Sequence, residues 1–210
     1  MNAKQALYEK LGASVVEALE KRHFSAQYCA TGQEAKDAVL SLIAPGKTVG
    51  WGGSVTVDDL GIKEALRQRK QPIVDRQEAK SPWEADELMK KALTADVFLM
   101  SSNAISMDGC LVNLDGRGNR VAALIYGADK VIVVAGMNKV VPTVEDAITR
   151  TRNVAAPMNA QRFGKTVCCT TGRCMDCKSQ DSICANLVIT RINRVPGRIH
   201  VILVGEDLGM

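Results

Sequence analysis

The sequence predicts an α/β fold in which a mostly parallel sheet lies between two layers of helices. Short apolar runs alternate with longer segments whose apolar residues recur every three or four positions, as in strands and amphipathic helices. Ser or Thr precedes several helical segments, with an acidic residue three positions later, as expected for helix N-termini. Strands that alternate with helices form parallel sheets covered on both faces. We therefore expect one three-layer α/β/α domain over residues 1–210.

The first hundred residues contain four predicted helix–strand pairs. Ala3, Leu7, Leu11, Val15 and Leu19 are spaced by four and indicate an N-terminal helix. N-cap signals at residues 31, 56 and 81 begin further helices, which we expect over residues 31–43, 56–69 and 81–94. Short apolar runs predict strands at residues 26–29, 48–50, 72–74 and 97–100.

The second half predicts a more varied arrangement. Residues 101–120 are rich in Ser, Asn, Asp and Gly and predict two loops around a short strand at residues 110–112. A helix over residues 119–126, a strand at 131–135 and a helix over 143–155 continue the alternation. We expect the tail to contain a strand at 166–170, a cysteine-rich loop at 168–184 and an antiparallel hairpin at 186–205, whose strands are joined by Arg-Val-Pro-Gly.

Composition excludes some classes of partner. The net charge of +4 is dispersed along the chain and aromatic residues make up only 4%, so we expect no nucleic acid partner. No run approaches the roughly 18 apolar residues that cross a bilayer, so no membrane partner is expected. The first residues, MNAKQALYEKLG, carry charges within each apolar stretch and predict no signal peptide, which indicates a cytoplasmic location.

The loop Gly50–Gly61 follows a predicted strand and is the first candidate binding site. In open α/β sheets, ligands bind beyond the carboxyl ends of the strands. Gly52 and Gly53 would let the backbone approach an anion, and Ser54 and Thr56 add hydroxyl groups. A tight turn that needs glycine only for its backbone is the alternative. The loop matches neither the P-loop nor the dinucleotide-binding motif, which disfavours a nucleoside triphosphate or NAD.

A second loop, residues 101–120, is the other candidate for binding a small carboxylate or phosphorylated metabolite. Ser102, Asn103 and Asn119 supply polar groups. Arg120 begins a helix, where its charge opposes the helix dipole, so it is expected to contact an anionic ligand or to pair with an acid. Lys139 follows the strand at 131–135 and adds a second positive charge, unless it is an ordinary surface lysine.

Several motifs together resemble one known family. They are Gly50-Trp-Gly-Gly-Ser54 with Gly61, Ser102-Asn-Ala-Ile-Ser106 with Asp108-Gly109, Asn113, Gly118-Asn-Arg120, and Val133-Val-Ala-Gly-Met-Asn-Lys139. Over about residues 5–160 the chain resembles the LUD (lactate utilization) family. The resemblance implies a NagB/RpiA/CoA transferase-like fold, a single LUD-type domain, a homodimer, and a role in bacterial L-lactate utilization, often beside an iron–sulfur oxidoreductase subunit.

The resemblance leaves the activity open between three hypotheses. The first is a metabolite-binding protein that contributes to the use of lactate or a related hydroxy acid. The second is an isomerase or transferase acting on a sugar phosphate or acyl-CoA, in which Asp108 and Lys139 are the candidate catalytic residues and Asp108 also contacts the ligand. Covalent CoA transfer is disfavoured because residues 96–120 contain no glutamate nucleophile. The third is a regulatory protein that senses redox state.

The redox hypothesis rests on the cysteines, of which five of the seven lie within residues 168–184. Cys169, Cys174, Cys177 and Cys184 have a spacing similar to that of plant-type ferredoxins, so an iron–sulfur cluster or zinc is a candidate cofactor. A redox-active dithiol or disulfide and unliganded structural thiols are the alternatives. Because Cys168 and Cys169 lie on a predicted strand, their side chains would point to opposite faces.

Overall fold

The strands of the protein form two sheets, which we describe from a computed structural model covering residues 2–210. The strands are β1 (Ser25–Cys29), β2 (Val49–Trp51), β3 (Ile73–Val74), β4 (Val97–Met100), β5 (Ala104–Ser106), β6 (Leu111–Asp115), β7 (Lys130–Gly136), β8 (Val140–Val141), β9 (Asn186–Thr190) and β10 (Ile199–Val204). The large sheet has the order β1-β10-β7-β4-β2-β3, and every pair in it is parallel. The small sheet has the order β8-β5-β6-β9 and is mostly antiparallel.

Several of the helices begin at a residue whose side chain caps the N-terminus. The helices are α1 (Ala3–Lys21), α2 (Gly32–Ser41), α3 (Val55–Asp59), α4 (Ile62–Gln68), α5 (Pro82–Leu93), α6 (Asn119–Ile125), α7 (Val144–Arg150), α8 (Ala156–Ala160) and α9 (Val167–Thr171). Thr31, Ser81 and Thr143 cap α2, α5 and α7 as predicted. Across residues 2–210, no helix combines the length and apolar character needed to cross a membrane.

Two apolar cores, one on each face of the large sheet, confirm the three-layer α/β/α class. In β7, Val131 and Val133 pack with α1, α5 and α6, whereas Ile132 and Val134 pack with α2, α3 and α4. This alternation follows from the strand geometry, which points successive side chains to opposite faces. Because helices cover both faces, the central strands are apolar except for Lys130 and His200 near their amino ends.

The prediction of a C-terminal hairpin at 186–205 is wrong. β9 pairs antiparallel with β6 at the edge of the small sheet, whereas β10 lies between β1 and β7 in the large sheet. The physical reason is burial: Ile199 and the residues from Val201 to Val204 are buried on both faces, as in a central parallel strand. Arg198 directs the chain into this sheet by donating to the carbonyls of Ala123, Leu124 and Ala128.

Other predicted boundaries also change. The strand predicted at 166–170 is the helix α9, and the helix predicted at 56–69 is divided into α3 and α4 at Gly61, whose φ is +62°. The hydroxyl that caps α3 is Ser54, two residues before the predicted cap. The region 101–120 contains the two strands β5 and β6 instead of one.

The position of β10 predicts a large difference between two isoleucines of the C-terminal segment. Ile202 is fully buried in the central strand, whereas Ile192 is 48% exposed. Ile202→Ala should lower the free energy of unfolding by about 2–5 kcal/mol because it leaves a cavity in the core. Ile192→Ala should change it by no more than about 0.5 kcal/mol. Urea denaturation measures both, and equal losses would contradict the central position of β10.

Candidate functional site

The carboxyl ends of β2, β4 and β7 meet at a cavity of about 470 Å³. These strands are neighbours in the parallel sheet, so the loops that follow them open on the same edge. The loop after β2 contributes Gly53, Ser54 and Thr56, the loop after β4 contributes Ser101, Ser102 and Asn103, and the turn after β7 contributes Lys139. The two loops identified in the sequence therefore do face one another.

Lys139 lies in the cavity wall with its ammonium group almost completely buried, at 3% exposure. Its Nζ donates to Thr56 Oγ1 and to Ser101 Oγ, at 2.9 Å in each case. None of the ion pairs found within residues 2–210 includes Lys139. Burial, reinforced by the charges of Arg150 and Arg120, lowers the pKa of Lys139 to about 7.

Gly209 covers Lys139 from the C-terminal side. A Cβ atom on Gly209 would lie 2.5 Å from Thr56 Oγ1 and 3.2 Å from Lys139 Nζ, and the φ of +59° also favours glycine. The backbone can therefore approach the amine closely only because this residue has no side chain. Sequence reasoning missed Gly209, because nothing in the local pattern connects it with Lys139.

Arg120 lines the cavity, but its guanidinium forms hydrogen bonds with other groups of the protein. Its Nη1 and Nη2 atoms donate, over 2.6–2.9 Å, to four acceptors: Ser101 O, Asn113 Oδ1, Asn103 Oδ1 and Leu114 O. Its Nε lies 3.5 Å from Asp115 Oδ2. Of the two roles that the sequence allows for Arg120, the geometry favours pairing with an acid. Its contact with a ligand stays a prediction.

The glycines of the first loop leave space for side chains of the protein itself. A Cβ on Gly52 would lie 3.2 Å from Cδ of Arg120, and a Cβ on Gly53 would lie 3.2 Å from an Nη atom of Arg76. These distances are tight, so the two glycines make room for the arginines that border the cavity. Of the two, only Gly53 lines the cavity itself.

Three further arginines border the cavity, and sequence reasoning missed all of them. Arg76 follows β3, Arg117 lies in the loop before α6, and Arg162 follows α8. Arg117 pairs with Asp86, whereas Arg76 and Arg162 belong to none of the ion pairs found within residues 2–210. Since they come from separate segments, only the fold brings them together.

The cavity is therefore cationic. Five arginine and lysine side chains line it, and among the lining residues that the structure describes the one acidic side chain is Asp115, which already neighbours Arg120. Asn119 also lines it, together with the residues of the two loops. An anion is the ligand that this arrangement favours.

Asp108 lies outside the cavity, contrary to the predicted catalytic and ligand-binding role. It occupies the turn between β5 and β6, at the opposite end of these strands from the cavity-lining residues. Its carboxylate pairs with Arg22 at 2.5 Å and accepts a hydrogen bond from Ser106. Ser106, together with Arg22, lowers the pKa of Asp108 below its usual range. The carboxylate therefore stabilises the turn.

Comparison with known proteins identifies the family. The family model described as LUD domain matches residues 13–204, which is most of the chain. The chain belongs to the LUD domain family. The resemblance seen in the sequence motifs is thereby confirmed, and the family as a whole is associated with lactate utilization.

One solved structure has a similar fold at low sequence identity. A DUF162 family protein from Deinococcus radiodurans is similar over 94% of this chain and 98% of its own, with 14% identity and a TM-score of 0.57. At that identity the likeness concerns the fold. eIF2B delta from Chaetomium thermophilum matches 67% of this chain and 54% of its own, with 16% identity and a TM-score of 0.35. No curated protein matches the LUD chain in sequence.

The cysteine-rich segment of the LUD protein borders the same cavity, because Gln180, Ser182 and Ile183 form part of its wall. Burial and the neighbouring Cys168, Cys174 and Cys177 raise the pKa of Cys184 to about 11. In the described residues 2–210, no three Cys, His, Asp or Glu side chains are arranged so that they could hold a metal ion.

Cys169 lies on α9 and its thiol contacts Thr166 and the end of α8. Its thiol lies 3.0 Å from the Ala160 carbonyl and 3.3 Å from the Thr166 hydroxyl, and Thr166 lowers its pKa. Because α9 is a helix, the faces predicted for Cys168 and Cys169 from a strand do not apply. The iron–sulfur or zinc site therefore stays a prediction, and the geometry of these side chains does not contribute to it.

The hydrogen bonds of Arg120 predict that replacing this residue lowers the stability of the protein. Arg120→Lys removes the planar group that reaches four acceptors, so at least one buried acceptor loses its partner, at a cost of about 1–3 kcal/mol. Arg117→Lys is the matched control, because Arg117 is exposed, and it should stay within about 0.5 kcal/mol of the wild type. Chemical denaturation measures both variants. An unchanged stability for Arg120→Lys would show that this guanidinium is free for a ligand.

The environment of Cys169 predicts its reactivity. Its lowered pKa gives more thiolate at pH 7, so Cys169 should be the first cysteine alkylated by iodoacetamide. Thr166→Val should raise that pKa and slow the alkylation several-fold, as followed by peptide mass spectrometry. In the control Thr171→Val the rate should be unchanged, since the Thr171 hydroxyl bonds only to the carbonyls of Val167 and Arg173 and to the Arg173 amide. If neither substitution changes the alkylation rate, Thr166 is not the cause of the lowered pKa of Cys169.

Proposed function

We propose that this LUD protein binds a small carboxylate, lactate or a related 2-hydroxy acid, in the cationic cavity and contributes to its utilization. The observation that carries the proposal is Lys139, a buried amine that opens into the cavity without a carboxylate partner among the described residues. A buried ammonium is unfavourable unless an opposite charge accompanies it. A ligand carboxylate would supply that charge.

The remainder of the cavity suits such a ligand in charge and in size. Arg76 and Arg162 are guanidinium groups at its border, and such groups bind carboxylates through two parallel hydrogen bonds. The volume of about 470 Å³ lies within the range of small-molecule sites. Ser102 and Asn119 add polar groups for the hydroxyl of a hydroxy acid.

The composition of the cavity supports a binding role in preference to oxidation by this chain alone. Its lining within residues 2–210 includes no Glu, His or Cys side chain, and the carboxylate of Asp115 lies beside Arg120. Removing a hydride or two electrons from a hydroxy acid requires an acceptor. We propose that an iron–sulfur oxidoreductase subunit supplies it, while the LUD protein holds the metabolite.

Lactate binding should depend on pH through Lys139. Below its pKa of about 7 the side chain is a cation that attracts the carboxylate, and above it the charge is lost. Between pH 6 and pH 8 the affinity for L-lactate should therefore fall about tenfold. Isothermal titration calorimetry measures this dependence. Lys139→Arg should remove it because arginine stays charged, and Lys139→Met should weaken binding at both pH values.

An exposed lysine serves as the control for that experiment. Lys90 is 70% exposed and pairs with Glu87 on α5, so Lys90→Met should leave lactate binding unchanged. A thermal-shift series with lactate, other small carboxylates, sugar phosphates and CoA esters tests the ligand class, since a ligand at 100 times its Kd stabilises by about 2.7 kcal/mol. Stabilisation by sugar phosphates alone would favour the isomerase hypothesis. The absence of any response would refute the binding function.

A further inference from the structure

The most deeply buried cation of the cavity wall is a lysine, whereas the other cations that line the cavity are arginines. Arginine keeps its charge at every physiological pH, but lysine can lose a proton and become a nucleophile. Binding a carboxylate would require only a charge. The choice of an amine at this one position therefore calls for a further explanation.

We propose that the Lys139 amine forms a reversible imine with the C2 carbonyl of a small 2-oxo carboxylate bound in the cavity. Such a compound is the oxidised counterpart of the 2-hydroxy acid in the proposed function, on which this inference rests. The carboxylate would lie toward the guanidinium groups of Arg76 and Arg162, and the carbonyl toward Nζ.

The contacts of Lys139 suit this reaction. Thr56 Oγ1 and Ser101 Oγ each lie 2.9 Å from Nζ and hold the amine in one place. Neither hydroxyl carries a charge that would retain the proton on nitrogen, in contrast to an ion pair with a carboxylate. When the amine is neutral, its two N–H groups can still donate to these hydroxyls, and either hydroxyl can pass a proton to a departing oxygen.

The electrostatic surroundings make the neutral amine available. With a pKa of about 7, roughly half of Lys139 is unprotonated at pH 7. A lysine of ordinary pKa is unprotonated in only about one molecule in a thousand to three thousand at that pH. Lys139 thus has a roughly thousand-fold larger share of the reactive form than a lysine of ordinary pKa.

The reaction balances without an oxidant or a metal. The lone pair of Nζ attacks C2 of the oxo acid, so that a carbon–nitrogen bond forms and the carbonyl oxygen becomes a hydroxyl. Both protons of the neutral amine move from nitrogen to the former carbonyl oxygen. The first converts this oxygen to the hydroxyl, and the second reaches it as the carbon–oxygen bond breaks. One molecule of water is released, and its return reverses the reaction. A 2-hydroxy acid has no carbonyl and cannot react, so the site would distinguish the oxidised from the reduced metabolite.

Reductive trapping tests the proposal on the intact protein. Pyruvate and sodium cyanoborohydride at pH 7 should convert the imine to a stable secondary amine, detected by intact mass and located by peptide mapping. We expect one adduct, at Lys139, formed at least ten times faster than at any other lysine, and slowed by excess L-lactate. The yield should increase as the pH rises from 6 to 8, because the neutral amine becomes more abundant.

Lys63 is the matched control, since its side chain is also buried, at 9% exposure, but pairs with Asp58 at 2.6 Å. Lys63→Arg should leave the adduct intact, whereas Lys139→Arg should abolish it. If Lys139→Arg does not fold, peptide mapping of the wild-type protein alone decides the question. An adduct spread over exposed lysines, or none at all, would overturn the imine.

The outcome separates the two proposals. Lactate binding without an adduct at Lys139 would refute the imine and leave the binding function standing. If neither lactate nor pyruvate is bound, both proposals are wrong. If pyruvate is trapped at Lys139 while lactate binds weakly, the imine stands and the preferred ligand is the oxo acid.

Discussion

The guanidinium of Arg120 holds together the segments that form the cavity. It joins the end of β4, through Ser101 and Asn103, to the strand β6, through Asn113 and Leu114. The large sheet and the small sheet meet at this point, and no backbone pairing connects them. A buried group with five donors in a fixed plane can satisfy several acceptors at once, and no other side chain offers this geometry. The shape of the cavity therefore depends on Arg120.

The charge of Arg120 also influences the pKa of its neighbour Lys139. Arg120 and Arg150 both act on Lys139, and with burial they bring its pKa to about 7. Ser101 links the two residues directly, since its carbonyl accepts from Arg120 and its hydroxyl accepts from Lys139. The arginine that organises the cavity thus also contributes, after burial and Arg150, to lowering the pKa of the lysine. Asp59 opposes this lowering only in part, and none of the ion pairs among the described residues includes Lys139, so the remaining compensation comes from deprotonation or from a bound anion.

Elements that depend on neighbouring residues could be predicted from the sequence. Strand pairings and contacts between residues distant in sequence could not. The caps at Thr31 and Ser81 and the loop after β2 depend on adjacent residues, and the structure confirms them. The pairing of β10 depends on β1 and β7, which are distant in sequence, so two apolar runs near Pro196 suggested a hairpin instead. Arg76 and Arg162 line the cavity, and Gly209 covers Lys139, for the same non-local reason. Lys139 was found because it directly follows a strand.

The two features that stood apart in the sequence, the polar loops and the cysteine segment, form one site in the structure. Gln180, Ser182 and Ile183 belong to the cavity wall, and Cys177 and Cys184 flank that stretch of chain. The α-carbon and carbonyl of Ile183 pack so closely on Gly116 that a Cβ at this glycine would lie 3.3 Å away. With so little space between wall and loop, the packing of Ile183 on Gly116 fixes where the cysteine segment meets the cavity. Part of the cavity wall therefore depends on a segment that the sequence pattern did not connect with the polar loops.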